Sequence, residues 1–244
     1  MPGSTLGLRK AVEPLEWWAG GVFGSLCGVR TSAPHVVLTY DDGPEPGGTD
    51  EVLAALEERR ATATFFVLMS RARRHPGLLH EVLAAGHEVG LHGLDHRRVT
   101  TLTESDVIAR ARDGRAELED LIGRSVTWYR PPYGAQSFRT WRAATRAGLV
   151  PVLWGPSLLD WLPVTDDERL GSALGDSTRG SVLLAHDGFA GPEDGVDDGP
   201  PPDVRRGALT RRLLDAYENS GFTGRSLRDA LVDGVPTWRA WFRR

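Results

Sequence analysis

Two histidines four residues apart, His92 and His96, and two adjacent acids, Asp41 and Asp42, are the residues here best spaced for chemistry. Imidazole nitrogens and carboxylate oxygens are ordinary ligands for a divalent ion such as Zn2+. Residues i and i+4 project from one face of a helical turn, so His92-Gly-Leu-Asp-His96 can offer both rings to one ion. Asp41-Asp42 runs into Gly43-Pro44, a turn signal at the end of an apolar run. Neighbouring side chains on extended backbone point apart, so one carboxylate can take a metal while the other faces a substrate. Two histidines and a carboxylate leave coordination positions open for a water and a substrate oxygen. A His-x-x-x-His pair also arises by chance, and a double acid also caps turns; position in the fold decides between the readings.

The elements that must carry these residues alternate between short apolar runs and longer amphipathic stretches. Residues 36–40, 63–68, 87–91, 128–130, 150–154 and 181–185 read as strands. Residues 49–60, 76–85, 104–122, 139–147, 166–174 and 205–219 read as helices, several of them closed by glycine. Strands alternating with helices imply an α/β fold, here a distorted (β/α) barrel of seven or eight parallel strands. Asp41, Asp42, His92, Arg130 and His186 all fall at predicted strand C-termini, with His96 and Asp160 shortly after, which is the edge where such barrels build active sites.

Five motifs then stand in order along residues 36–187. Thr39-Tyr40-Asp41-Asp42-Gly43-Pro44 resembles the Thr-Phe-Asp-Asp-Gly-Pro motif of the polysaccharide deacetylases (NodB-homology, carbohydrate esterase type), with Tyr40 for Phe. His92–His96 resembles their second motif, Arg130-Pro-Pro-Tyr-Gly134 the third, Asp160-Trp161 the fourth and Leu184-Ala-His186 the fifth. The resemblance implies Asp41 as general base and Asp42, His92 and His96 as metal ligands. It implies Arg130 as the partner of Asp41, and His186 as the general acid whose imidazole is held by Asp160. The backbone N–H of Tyr133 is implied in oxyanion stabilisation; Trp154, Trp161 and Leu184 are expected to wall the acyl pocket. The implied ion is Zn2+, with Co2+, Ni2+ or Mn2+ as alternatives that ligand type does not separate.

Two positions depart from the pattern. Gly93 replaces a usual Ser or Thr, which should loosen the surroundings of the metal loop. Ser157 stands where many polysaccharide-active members carry an additional Asp. The expected activity is removal of an N-acetyl or similar acyl group from an amino sugar, oligosaccharide or sugar-bearing small molecule. Hydrolysis of a non-sugar amide, imide or ureide and a non-catalytic carbohydrate-binding module are the rival readings.

Composition bounds the rest. The 244 residues are 40% hydrophobic and 25% charged, enough for one sizeable core. The net charge of -4 leaves no basic footprint for nucleic acid. No apolar run long enough to span a membrane or act as a signal peptide is visible, which points to the cytoplasm. The lone Cys27 has no partner for an intramolecular disulfide. Residues 1–34 read as an irregular leader packing on the barrel, with a short helix over 13–19 and the aromatics Trp17, Trp18 and Phe23; residues 35–244 read as the catalytic domain. His35, His75, His80 and His87 fit no motif and are expected to be structural or exposed. The acidic stretch 191–203 is expected to be a flexible loop or a rim to the site. Oligomeric state is not set by any of these residues.

Overall fold

The computed structural model describes residues 23–242, so the helix expected over 13–19, with Trp17 and Trp18, lies outside the described residues. Strands and helices alternate as β2 (His35–Asp41), α1 (Thr49–Glu58), β3 (Thr64–Leu68), α2 (Met69–Ala72), α3 (Pro76–Ala84) and β4 (Glu88–Gly93). They continue as α4 (Glu104–Ile122), β5 (Trp128–Tyr129), α5 (Phe138–Arg146), β6 (Val150–Pro151), α6 (Asp166–Gly175), β7 (Val182–His186), α7 (Arg206–Asn219), β8 (Thr223–Arg225) and α8 (Leu227–Ala230). A separate antiparallel pair joins β1 (Ser25–Arg30) to β9 (Val235–Arg239).

Among the described residues, seven strands form one sheet in the order β6-β5-β4-β3-β2-β7, with β8 pairing the start of β2, and every ladder in it is parallel. Parallel strands covered by crossover helices are apolar on both faces. The central run Thr64-Phe65-Phe66-Val67-Leu68 is accordingly buried at every position. Burying Phe65 and Phe66 contributes about 1.5–3 kcal/mol each. No continuous ladder joins β6 to β7. Isolated contacts span the gap: Leu153 N–H donates to Leu26 O (2.8 Å), Val29 N–H to Gly180 O (2.8 Å) and Leu158 N–H to Leu184 O (2.9 Å). Residues 25–30, read as irregular from the sequence, are thus a strand that fills this gap.

Helix ends follow local chemistry. The Thr103 side chain accepts from Asp106 N–H at the start of α4, and Gly123 closes that helix at φ 65°. Ser137 and Thr165 form capping boxes at α5 and α6. Among the described residues no helix is long and apolar enough to cross a membrane.

Candidate active site

The C-terminal ends of the strands meet at one cleft of about 460 Å3. Asp41, Asp42, His92, His96, Tyr133, Trp154, Trp161, Leu184 and His186 all line it. Arg130 and Asp160 stand behind it, 0% and 2% exposed. Every residue to which the family resemblance gives a role is therefore at this one edge.

Asp42 leaves β2 at φ 75°, a left-handed conformation that costs a non-glycine residue about 1–3 kcal/mol. Tyr133 (φ 60°) and Leu159 (φ 53°), beside Asp160, share it. Most of the positive-φ non-glycine residues described thus sit at or beside the cleft, where surrounding contacts hold the strain.

His92 and His96 do not share a helical turn. His92 is in β4, and a bend through Leu94 and Asp95 carries the chain back to bring His96 alongside. His92 Nε2 lies 3.3 Å and His96 Nε2 3.4 Å from Asp42 Oδ1. The other nitrogen of His92, Nδ1, is 2.8 Å from Arg130 O, so its proton goes to that carbonyl and Nε2 presents a lone pair. An imidazole lone pair then faces a carboxylate oxygen in a buried place. Asp42 Oδ1 has no hydrogen-bond partner among the described residues. Burial opposes ionisation of Asp42, but His96, His92 and His186 hold it well below the usual carboxylate range. Burial pushes His96 down from the ordinary imidazole value, favouring the neutral ligand form. Anionic oxygen and two imidazole nitrogens within 4.8 Å of one another are the donor set that a divalent cation needs.

Asp41 faces Arg130 instead. Arg130 Nη1 donates to Asp41 Oδ1 (2.8 Å) and to Thr39 Oγ1 (2.7 Å), Nε donates to Val152 O (3.2 Å), and the guanidinium lies 4.2 Å over the Phe66 ring. Asp160 Oδ1 accepts from His186 Nδ1 at 2.7 Å. Burial lowers the His186 imidazole, but Asp160, with Asp42 and Asp41, outweighs it and pushes the pKa up to about 9. Tyr133 and Gly134 form a 3-10 turn against Trp154; a Cβ on Gly134 would stand 2.5 Å from that indole, so this close approach needs glycine. Trp161 packs edge-on to His186 at 5.3 Å between ring centroids.

Four residues that the sequence reading passed over hold this arrangement. Asp187 accepts from Gly43 N–H (3.1 Å) and Thr49 Oγ1 (2.5 Å), pinning the turn after Asp42, and burial pushes its carboxyl up to about 7. Its place directly after His186 was the available signal. Arg206 Nη1 donates to His186 O (2.7 Å) and reaches Asp160 Oδ2 (3.4 Å). Arg71, 4% exposed, pairs with the fully buried Asp194 at 2.8 Å and with Glu45 at 2.7 Å. Nothing local in the sequence marks Arg71 or Asp194 as partners 123 positions apart.

Of the two readings of residues 191–203, a flexible loop and a rim to the site, the rim fits, because Asp198 lines the cleft. The stretch 191–203 is not simply a loose loop: Asp194 is anchored by Arg71, Ser70 and Gly191 N–H, and Asp194 O accepts from His96 N–H (2.9 Å). Gly93 ends β4 at the bend after His92. A Cβ there would meet Asp95 O at 2.8 Å, so the bend that returns His96 is built for glycine. Ser157 has a local task, its Oγ accepting Leu159 N–H (3.1 Å) in the turn before Asp160. Among the motif-less histidines, His87 is buried and structural: Nδ1 accepts from Ala63 N–H, and burial lowers its pKa to about 4.

Comparison with known proteins gives the class that the five ordered sequence motifs resemble. The family model for polysaccharide deacetylase matches residues 28–152, and the chain belongs to that family. It is 35% identical to a chitooligosaccharide deacetylase of Sinorhizobium fredii over 81% of this chain and 92% of the relative. It is 30% identical to a peptidoglycan-N-acetylglucosamine deacetylase of Bacillus cereus over 74% of this chain and 82% of that protein. In fold it is similar to a crystal structure of a peptidoglycan N-acetylglucosamine deacetylase, with a TM-score of 0.72, 24% identity and coverage of 84% and 91%. The chain is thus a deacetylase of this family.

Proposed function

We propose that this chain hydrolyses the acetamide of an N-acetylated amino sugar, as an oligosaccharide or a sugar-bearing small molecule, releasing acetate and a free amine. The observation that carries the reading is a pairing: Asp41 and His186 are register neighbours on the parallel strands β2 and β7, directly beside the Asp42, His92 and His96 set. A base and an acid then flank the place where a metal would hold the scissile amide.

Asp42, His92 and His96 would hold the ion, for which Zn2+ is the proposed identity and Co2+, Ni2+ or Mn2+ the alternatives. Such an ion supplies Lewis-acid activation of water and of the amide carbonyl. Asp41, oriented by Arg130, accepts the proton of the attacking water. His186, kept as imidazolium by Asp160, donates its Nδ1-opposed proton, the one on Nε2, to the departing nitrogen. The Tyr133 backbone N–H is assigned to the developing oxyanion. Trp161, Leu184 and Trp154 wall the acetyl and sugar side, leaving room for an apolar methyl and a sugar face.

The test is release of acetate from a panel of N-acetylglucosamine oligomers, peptidoglycan fragments, monomeric N-acetyl amino sugars and cyclic amides, after loading with Zn2+. Turnover of the acetylated sugars supports the proposal. Turnover of the cyclic amides alone would replace it with the non-sugar reading. Sugar binding without acetate release from any compound would replace it with a binding module.

A further inference from the structure

The two histidines of the candidate metal set differ in how their second nitrogens are held. His92 Nδ1 is fixed on Arg130 O at 2.8 Å. His96 Nδ1 is buried with no hydrogen-bond partner among the described residues. With Nε2 given to a metal beside Asp42, the proton of His96 would sit on this Nδ1, and an imidazole ligand ordinarily gives that proton to a carboxylate, carbonyl or water.

The carboxylate facing it is Asp198, whose Oδ2 is 4.0 Å away. Asp198 belongs to the acidic stretch after β7, and the same oxygen accepts the Tyr133 hydroxyl at 2.5 Å. The Tyr133 ring in turn packs on the His96 ring, 4.3 Å between centroids. Four residues earlier the loop is already fixed to the same histidine, because Asp194 O accepts His96 N–H and Asp194 is locked by Arg71. The Asp198 side chain is 43% exposed, so it retains freedom to move the roughly 1 Å that separates this spacing from a charge-assisted hydrogen bond.

We propose that Asp198 is a positioning residue for the metal site: its carboxylate takes the Nδ1–H of His96 while holding the Tyr133 hydroxyl. One acidic side chain of the loop thereby orients a metal ligand and couples it to the residue assigned to the oxyanion. The inference rests on the metal reading of Asp42, His92 and His96.

The test is Zn2+ affinity of the full chain, measured by competition with a chromophoric chelator, for wild type, Asp198→Ala, Asp198→Asn and Asp197→Ala. Loss of the acceptor should weaken Zn2+ binding about 10- to 100-fold in Asp198→Ala. Asp198→Asn, which keeps a neutral acceptor oxygen, should recover part of that loss. Asp197→Ala removes the same charge from the neighbouring exposed position and should leave affinity within about twofold of wild type. Equal affinity in wild type and Asp198→Ala would overturn the proposal, as would an equal loss in Asp197→Ala, which would reduce the effect to net charge. Absence of Zn2+ binding in wild type itself would overturn the metal reading beneath it.

Discussion

Asp160 holds His186 at two points: Oδ1 takes the ring Nδ1 at 2.7 Å and Oδ2 takes the backbone N–H of the same residue at 2.8 Å. Ring orientation and charge are fixed by one carboxylate. With the imidazole pushed up to about 9, activity that needs the protonated ring should persist to about pH 9 and fall above it. In Asp160→Asn the amide has a single acceptor oxygen, so one of the two donors loses its partner, and the ring returns towards ~6.5. The alkaline limb of the kcat/KM profile should therefore move down. A limb unchanged in Asp160→Asn would show that His186 is not the titrating acid.

Asp41→Asn keeps the size of the side chain and removes the proposed base. Turnover should fall about 10²–10⁴-fold, the usual range for general base catalysis, while Zn2+ affinity stays near wild type. Wild-type turnover in this variant would dismiss Asp41 as the base.

Arg130→Met tests the buried pair beneath the base. Arg130 is fully buried against Asp41 and Phe66, and removing it strands a carboxylate that is 2% exposed. Breaking such a pair costs about 3–5 kcal/mol. Thermal melts should show Tm lower by more than about 6 °C in a chain of this size. Adding Asp41→Asn should restore part of the loss, because the stranded charge is gone. A double variant as unstable as the sum of the singles would argue against this coupling.

Divalent metal should stabilise the fold as well as the reaction. Asp42 Oδ1, without a hydrogen-bond partner among the described residues, gathers with the two Nε2 atoms only in the folded chain, so an ion held there would bind the folded chain and not the unfolded one. At an ion concentration of 100 Kd the gain is about 2.7 kcal/mol. Chelation should lower Tm by several degrees and Zn2+ should restore it. His92→Ala should abolish the response.

The anchor of the acidic loop gives a last prediction. Asp194→Ala leaves the Arg71 guanidinium with the Glu45 carboxylate and the Phe189 carbonyl, so the stability loss should fall at the low end of about 3–5 kcal/mol. Amide exchange over residues 187–198 should accelerate more than exchange in β2 or β3. Uniform exchange across the fold would show that Asp194 acts globally and not on the loop.

The central sheet was legible in the residues themselves. Continuous apolar runs such as 63–68 and glycine-closed helices such as 104–122 carry their period and their stops locally, and the structure repeats them within a residue or two. What was not legible is instructive: β1 reads as leader because Cys27 and Gly28 interrupt it, β8 is three residues long, and β9 contains Pro236, tolerated because the strand pairs on one side only.

For the site, sequence alone determined which groups are present and at which strand ends they stand, since residue type and element boundary are local properties. The structure decided how they pair. It turned Asp42 left-handed, bent the chain at Gly93 so that His96 returns beside His92, and set Arg71 on Asp194, Arg206 on Asp160 and Asp198 before His96. Those pairings join residues distant in sequence through burial and charge, and no local pattern encodes which distant charge a buried side chain will meet.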